Sequence, residues 1–360
     1  MIREELIQDI EERISELRQE EKILSDRIHG LEDLLKQTKD CEESELDRLA
    51  DRFRDGIFTE EITEGERPIP EGHASEKITE GCLVIEGGAF RGGAYDSGVL
   101  DCLMVNDINF QCVLGVSAGA ITGLDYMSGQ IGRSARLNIG FRHDPRYVGY
   151  KALYNDKSLV GFSFLYDTYN EIEPFDEEFF KRKSRRFITV ATDMHTGKPA
   201  FFERGKCRSI KRAVRASASM PLVTKPVVMN GVPYLDGGCS DKIPYDWALE
   251  QDFEKIVVIR TREREYRKKT ISKAEKRALE TVYRKFPDFV RSATTSNEQY
   301  NAQCDDLERL EKEGRLMILE PKTPVTIGRL ESDMEKIKAL YWQGYQETED
   351  ALDRLREYLA

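Results

Sequence analysis

The sequence contains no uninterrupted apolar run of the length that a membrane-spanning helix requires, which is about 20 residues. Its first residues, MIREEL, lack the basic segment and apolar core of a secretory signal peptide. These two absences argue against both a membrane span and a leader. We therefore expect a cytoplasmic protein, and we leave peripheral attachment to a membrane surface open.

Paired cysteines are absent and histidines are scarce. The 360 residues include seven cysteines, none of them at C-x-x-C spacing, and four histidines. Scattered cysteines within apolar stretches predict reduced, packed thiols and exclude both a disulfide framework and a zinc site. The formal net charge of −11 argues against nucleic acid as a partner. No motif in the sequence requires a metal ion or a cofactor.

The first forty residues are charged and follow a helical repeat. Isoleucines at positions 7, 14 and 28 and leucines at positions 17, 24 and 31 occupy the a and d positions of a heptad. This arrangement favours a parallel two-stranded coiled coil, and hence a homodimer formed through residues 7–35. An amphipathic helix packed against the chain's own globular domain is the alternative. Two prolines and two glycines within residues 64–72 then interrupt the helical pattern.

From residue 81 onward the pattern is that of an α/β protein. Short apolar runs of buried-strand type alternate with helix-compatible segments, and they lie at residues 82–85, 110–114, 187–191, 256–259 and 316–319. This alternation predicts parallel strands joined by helical crossovers. Asn230-Gly231, between two apolar runs, predicts a β-hairpin. The chain divides into a helical extension with a linker (1–80), a central domain (81–260) and a mostly helical C-terminal region (261–360).

A possible nucleophile lies in the segment Gly-Val-Ser-Ala-Gly at residues 115–119, between a predicted strand and a helix-like stretch. A serine on such a sharp turn needs small neighbours, because a Cβ at Gly115 or Gly119 would clash where the backbone doubles back. The helix that begins after Ser117 would direct N–H groups and its positive dipole end toward the reacting oxygen. A tight strand-to-helix turn with a buried serine is the alternative.

A glycine-rich segment, Glu-Gly-Gly-Ala-Phe-Arg-Gly-Gly at residues 86–93, follows the first predicted strand and opens a helix. It lacks the G-x-G-x-x-G register of a dinucleotide site and the lysine of a Walker A loop. Backbone N–H groups converge at such turns and bind anions. We expect Gly87, Gly88 and Ala89 to form an oxyanion hole, with the positive charge of Arg91 nearby. A glycine turn required only for packing is the alternative.

A third motif, Asp236-Gly237-Gly238, follows the second strand of the predicted hairpin. Two glycines after an aspartate let the loop pass close to another backbone and hold the carboxylate at the end of the strand. Taken alone, the motif is equally typical of an ordinary turn whose first residue is aspartate.

Together the three motifs resemble those of the patatin-like phospholipases, lipid acyl hydrolases of the bacterial patatin type. The pattern of that family, G-G-[GA]-x-R-G, G-x-S-x-G and D-G-[GA], fits residues 87–92, 115–119 and 236–238. The resemblance covers about residues 81–260, which it identifies as a patatin-like catalytic domain. It implies a three-layer α/β/α core with a mainly parallel sheet, to which this chain adds helical extensions. It also implies that Ser117 is the nucleophile and Asp236 its partner, in a dyad without histidine.

The positions of the histidines agree with a dyad. His29 lies in the coiled-coil-like segment, His73 lies in the linker, and no histidine follows His195. An ordinary α/β-hydrolase needs the order serine, acid, histidine. An unusual triad closed by His143 or His195 is the alternative. Asp236 would act as a base only if burial raised its pKa, because a carboxyl with a pKa near 3.9 accepts a serine proton poorly.

The expected function is hydrolysis of the carboxylic esters of phospholipids, lysophospholipids or other acyl lipids through an acyl-enzyme. The alternatives are a non-catalytic membrane-surface or scaffold protein with a patatin-like shell, and a conventional Ser-His-Asp esterase. Basic stretches at residues 181–186 and 260–269 either face anionic lipid or are solvated surfaces that balance the acidic residues. Aromatic residues between positions 147 and 180 either line an acyl pocket or lid, or belong to the core.

Overall fold

The computed structural model describes residues 67–158, 160–329 and 331–360, so the predicted dimerisation segment 7–35 and His29 lie outside the described residues. At the centre of the described fold is an eight-stranded mixed β-sheet. Its strands are β1 (Thr79–Ile85), β2 (Phe110–Val116), β3 (Arg186–Asp193), β4 (Pro199–Glu203), β5 (Val227–Met229), β6 (Val232–Asp236), β7 (Ile256–Ile259) and β8 (Met317–Leu319).

The strands lie in the order β8-β7-β1-β2-β3-β6-β5, and β4 pairs with β3 outside this path. The strands from β8 to β3 run parallel, whereas β4, β6 and β5 join the sheet through antiparallel pairings. β5 and β6 form the predicted hairpin. Asn230 and Gly231 have φ angles of 51° and 83°, the left-handed conformations that a two-residue hairpin turn of the commonest type requires.

Helices cover both faces of the sheet. They are α1 (Ala89–Val105), α2 (Ala118–Ser128), α3 (Arg133–Ala135), α4 (Tyr150–Asp156), α5 (Tyr169–Ile172), α6 (Glu177–Phe180), α7 (Ile210–Ser217), α8 (Tyr245–Glu250), α9 (Lys273–Val282), α10 (Pro287–Lys312), α11 (Met334–Glu349) and α12 (Leu352–Leu359). Within the described ranges, no helix combines the length and the apolar character that crossing a membrane would require.

Alternate residues of each central strand enter two separate cores, because successive side chains of a strand point to opposite faces. In β1, Leu83 and Ile85 pack with α1, α2 and α11, whereas Cys82 and Val84 pack with α8 and α10. All four side chains are fully buried. The mainly parallel sheet between two helical layers confirms the predicted three-layer α/β/α class.

The region 261–360, which the sequence analysis treated separately, contributes to the same core. Its strand β8 pairs in parallel with β7 at the edge of the sheet, and its helix α11 crosses α1 at very short range. A Cβ on Gly98 of α1 would lie 2.0 Å from the carbonyl oxygen of Tyr341, and one on Gly344 would lie 2.4 Å from that of Tyr95. Glycine is therefore required on both helices at this crossing.

We expect the Gly98→Ala variant to be strongly destabilised, because the added methyl group would meet the backbone of α11 and not a movable side chain. Overpacking against a backbone should reduce the free energy of unfolding by about 3 kcal/mol. Thermal unfolding followed by circular dichroism should record a fall in Tm of roughly 4 °C. Gly140→Ala is the control, since an added Cβ there has no neighbour within 4 Å. Equal Tm values for the two variants would contradict the close crossing of α1 and α11.

Candidate active site

Ser117 lies on a strained turn between β2 and α2. Its φ and ψ angles are 55° and −120°, a conformation that costs a residue with a side chain about 1–3 kcal/mol. The flanking glycines make the turn possible, since a Cβ on Gly115 would lie 2.2 Å from the carbonyl oxygen of Gly119. A Cβ on Gly119 would lie 2.6 Å from the carbonyl oxygen of Ile85. The turn presents the serine hydroxyl at the end of the parallel strands.

Asp236 is in direct contact with this hydroxyl. The Oγ of Ser117 donates a hydrogen bond to Oδ2 of Asp236 at 2.7 Å. The two residues meet because both are placed by β3, where Val116 pairs with Val190 and Asp236 pairs with the next residue, Ala191. β2 and β6 pair with consecutive segments of the same edge of β3. Ser117, which follows β2, therefore lies next to Asp236 at the end of β6. The structure brings together two residues that are 119 positions apart in the chain.

The environment of Asp236 favours a role as a base. The residue is only 7% exposed, and this burial raises the pKa of its carboxyl above the ordinary value. The hydrogen bonds from Ser117 and from the N–H of Gly238, together with the charges of Lys242 and Arg329, act in the opposite direction and lower the pKa. The N–H of Gly238 donates to Oδ1 at 2.8 Å, which leaves Oδ2 to the serine.

The glycine-rich segment runs alongside Ser117 and opens α1. A Cβ on Gly87 would lie 2.8 Å from the Cβ of Ser117, so this backbone passes within van der Waals distance of the serine. In the part of the chain that the structure describes, the N–H groups of Gly87, Gly88 and Ala89 donate no hydrogen bond. They stand at the N-terminus of a 17-residue helix, where the positive end of the helix dipole favours a negative charge.

Residues distant in sequence hold the glycine-rich segment in place. The N–H of Thr261 donates to Oε2 of Glu86 at 3.0 Å, and its hydroxyl donates to the carbonyl of Gly87 at 3.2 Å. The N–H of Phe90 donates to the carbonyl of Arg329 at 3.1 Å. The sequence analysis missed these supporting residues, because nothing in their local pattern indicates a contact with residues 86–90.

Ser217 is a further supporting residue that the sequence analysis missed. Its hydroxyl accepts a hydrogen bond from the N–H of Ser117 at 2.9 Å, and the residue is fully buried at the end of α7. This bond fixes the backbone of the strained turn. Ser217 lies in a run of small residues, Ala-Ser-Ala-Ser at 216–219, that precedes the hairpin, and this run was the only local signal that could have indicated its role.

Two cavities meet at Ser117. The larger has a volume of about 420 Å³ and is lined by Ser117, Asp236, the segment 86–89 and Arg91, among other residues. The smaller, of about 40 Å³, is lined mainly by apolar groups, including Phe90, Ile121 and Val160. The structure therefore brings every predicted site residue together at the larger cavity, except Gly115 and Gly119, which shape the turn beneath it.

The histidines that the structure describes do not take part in this arrangement. Of the three histidines that the structure describes, His73, His143 and His195, none lines either cavity. In the described ranges there is also no cluster of three or more histidine, cysteine, aspartate or glutamate side chains that could hold a metal ion. The polar groups assembled around Ser117 are a buried carboxylate, free backbone N–H groups and cationic side chains.

Comparisons with known proteins cover most of the described fold. Residues 83–249 match the family model of the patatin-like phospholipases, and residues 286–360 match that of a domain of unknown function, DUF6363. The uncharacterized protein YjjU of Escherichia coli (strain K12) is 29% identical over 184 residues, which are 50% of this chain and 51% of that protein. The chain thus spans about half the length of this curated relative.

Among solved structures, VipD from Legionella pneumophila is 12% identical to this chain, with a TM-score of 0.38, and the alignment covers 84% of this chain and 73% of that one. Because this similarity is low, the assignment rests on the family model and on the residues described above. The three motifs, 87–92, 115–119 and 236–238, all lie inside the matched segment. Residues 83–249 are a domain of the patatin-like phospholipase family.

Proposed function

We propose that the protein is a serine hydrolase that cleaves the carboxylic esters of acyl lipids, such as phospholipids and lysophospholipids. The observation that carries the proposal is the 2.7 Å hydrogen bond from Ser117 to the buried carboxylate of Asp236, made on a strained turn beside free backbone N–H groups. A hydroxyl that is hydrogen-bonded to a base and lies beside backbone N–H groups able to bind an anion has the arrangement that acyl transfer requires.

The proposed reaction has two stages. The Oγ of Ser117 attacks the ester carbonyl as its proton passes to Asp236, and the N–H groups of Gly87, Gly88 and Ala89 stabilise the resulting oxyanion. The proton then moves to the leaving alcohol, and an acyl-enzyme remains on Ser117. In the second stage Asp236 accepts a proton from water, which attacks the acyl carbonyl. Asp236 then returns this proton to Oγ of Ser117 as the bond to the acyl group breaks, which releases the fatty acid and the free serine.

The two cavities support a division of the substrate between them. Phe90, Ile121, Tyr147 and Val160 give the smaller cavity an apolar wall beside Ser117, which suits the first carbons of an acyl chain. The wall of the larger cavity is about equally polar and apolar and includes charged side chains, which suits the alcohol part of the ester. Tyr147 thus contributes to both the core and the proposed acyl site, whereas Phe162, Phe164 and Tyr169 belong to the core.

We also propose that the substrate is taken from a membrane surface. Leu222, at the wall of the larger cavity, is 44% exposed, and Val282 is 60% exposed. The two are linked through Tyr283, whose hydroxyl accepts the N–H of Leu222 at 2.8 Å. Apolar side chains near a cavity mouth suit contact with lipid. The cytoplasmic location and the homodimer through residues 7–35 stay predictions.

Labelling with a fluorophosphonate, followed by peptide mass spectrometry, tests the proposed function. We expect one adduct, on Ser117, because only an activated serine attacks the phosphorus centre at a useful rate. The Asp236→Asn variant should react at least a hundred times more slowly, since it lacks the base. Heat-denatured protein is the control, and it should remain unlabelled.

The same experiment separates the alternatives. An intact, folded protein without an adduct on Ser117 would contradict the proposed function and favour a patatin-like shell without catalysis. Loss of labelling in both His143→Ala and His195→Ala, with Asp236→Asn unaffected, would instead favour an esterase that depends on histidine.

A further inference from the structure

The larger cavity contains four cationic side chains: Arg91, Lys242, Lys268 and Arg329. Arg91 belongs to the glycine-rich segment, and Lys242 follows Asp236 in the loop after β6. Lys268 and Arg329 lie beyond residue 249, where the patatin family model ends. Two of the four charges therefore come from the part of this chain that is added to the family domain.

None of these four cations forms an ion pair with any residue in the described ranges. Arg91 is only 5% exposed, and its Nε has no hydrogen-bond partner. The ammonium group of Lys242 donates to the carbonyl of Gly238, and that of Lys268 lies 3.7 Å from the ring centroid of Tyr300. Positive charge in a cavity without a paired carboxylate is typical of an anion-binding site.

Several basic residues close to Lys268 in the sequence form ion pairs within the described ranges, unlike Lys268 itself. Arg260 forms an ion pair with Glu320 at 2.7 Å, and Arg264 and Arg267 also pair with acidic side chains. Three of the six basic residues in the stretch 260–269 are therefore neutralised within the protein. Lys268 is the member of that stretch that lines the cavity, so its charge is available to a ligand.

The carboxylates in the cavity wall offset the four cations only in part. Glu86 accepts the N–H of Thr261 with one oxygen, and Asp236 is bonded to Ser117 and Gly238. The third acidic residue, Glu275, is exposed in the first turn of α9. Three carboxylates thus face four cations, which leaves an excess of one positive charge in the cavity wall.

Mutual repulsion among the four cations is a second indication that the larger cavity binds an anion. Burial lowers the pKa of Lys268 well below its ordinary value, and the charges of Lys242, Arg329 and Arg91 lower it further, against the opposing charge of Glu86. Burial likewise lowers the pKa of Arg91, to about 10. An anion bound among these groups would offset both the burial and the repulsion. A negatively charged ligand would therefore stabilise the charged forms of these side chains.

We propose that Lys242, Lys268 and Arg329 bind a phosphate monoester on the alcohol side of the scissile ester, so that the preferred substrate is an acyl glycerol phosphate. This inference rests on the proposed function, since it assigns the headgroup of that same reaction. A phosphate monoester carries up to two negative charges and three acceptor oxygens, which suits three separate cations. A zwitterionic headgroup would place its own cation among them.

Binding of sn-glycerol 3-phosphate, measured by isothermal titration calorimetry, tests the subsite without requiring catalysis. We expect the wild type to bind it and not to bind glycerol. Lys268→Met should weaken the binding about tenfold or more, because charge-assisted hydrogen bonds to phosphate are strong. Lys269→Met is the matched control, since it removes the same charge from the next position, which does not line the cavity. Equal affinities for the two variants would overturn the proposal.

Hydrolysis supplies the second readout. The substrates are lysophosphatidic acid, lysophosphatidylcholine and monoacylglycerol with one acyl chain, which differ only in the headgroup. We expect kcat/KM to be at least tenfold higher for lysophosphatidic acid than for the other two, and Lys268→Met and Arg329→Gln to reduce that ratio about tenfold each. Similar values for all three substrates would overturn the inference and leave the proposed function standing.

Two further outcomes separate the remaining explanations. If inorganic phosphate binds as tightly as sn-glycerol 3-phosphate and the headgroup ratio is near one, the site binds free phosphate, and the lipid assignment is wrong. If no ester is hydrolysed and Ser117 takes no fluorophosphonate adduct, the proposed function fails. In that case the calorimetry alone decides whether the cavity is a phosphate site.

Discussion

The Ser117→Ala variant is expected to lose esterase activity while it keeps the wild-type fold. Without the hydroxyl there is no nucleophile for an acyl-enzyme, and kcat for a short-chain ester should fall by about 10⁴-fold or more. The fold should persist because alanine adopts the strained conformation at position 117 at the same cost as serine. Steady-state hydrolysis together with thermal unfolding measures both effects.

Ser128→Ala is the matched control for this variant. Ser128 lies at the end of the same helix, α2, where its buried hydroxyl donates to the carbonyl of Asp125 at 2.7 Å. Its removal should cost about 1 kcal/mol of stability and leave kcat unchanged, because the residue lines neither cavity. Turnover near the wild-type value in Ser117→Ala would refute the assignment of the nucleophile.

The Asp236→Asn variant is expected to show the second-largest effect, a loss of about 10³-fold in kcat. The amide can still accept the N–H of Gly238, which preserves the local turn. It cannot accept the proton of Ser117, so both stages of the proposed reaction lose their base. A loss of less than tenfold would argue against that role. Asp193→Asn is the control, because its Oδ1 accepts N–H groups that an asparagine can also satisfy.

The pH dependence of kcat/KM gives an independent test of Asp236. The base must be deprotonated, so activity should rise with pH through the pKa of this carboxyl. Because burial raises that pKa above 3.8, the acid limb should lie above pH 3.8 in the wild type. Asp193→Asn should keep this limb, and the residual activity of Asp236→Asn should lack it. An acid limb retained in Asp236→Asn would assign the titration to another group.

The elements that follow from local pattern were predicted well from sequence. The strands at 82–85 and 110–114 were recognised because buried parallel strands are continuous apolar runs, and the hairpin at Asn230-Gly231 because its turn requires left-handed residues. β4 was missed. Its five residues, Pro199–Glu203, are all half-buried, and its apolar run of Ala200, Phe201 and Phe202 is short and follows a proline, so the local pattern does not indicate a strand. It forms because β3 offers it an edge for antiparallel pairing.

The residues of the candidate site also fall into two groups, those that the sequence indicates and those that it does not. Gly87, Gly115 and Ser117 could be identified from sequence, because a backbone that turns sharply leaves no room for side chains and therefore dictates residue type at fixed spacing. Lys268 and Arg329 could not, because a lysine or an arginine in a charged segment has the same local pattern whether it meets a carboxylate or lines a cavity. Only the folded chain decides between these two environments.

The sequence by itself determined the α/β class, the patatin-like motifs and the residues expected to carry the chemistry. Each of these depends on steric or periodic constraints that act over a few neighbouring residues. The tertiary structure alone decided that α11 crosses α1 through two glycines, that β3 sets Asp236 beside Ser117, and that four cations without an ion pair among the described residues share one cavity. These features depend on contacts between residues far apart in the chain, where the partner, and not the local pattern, determines the role of a side chain.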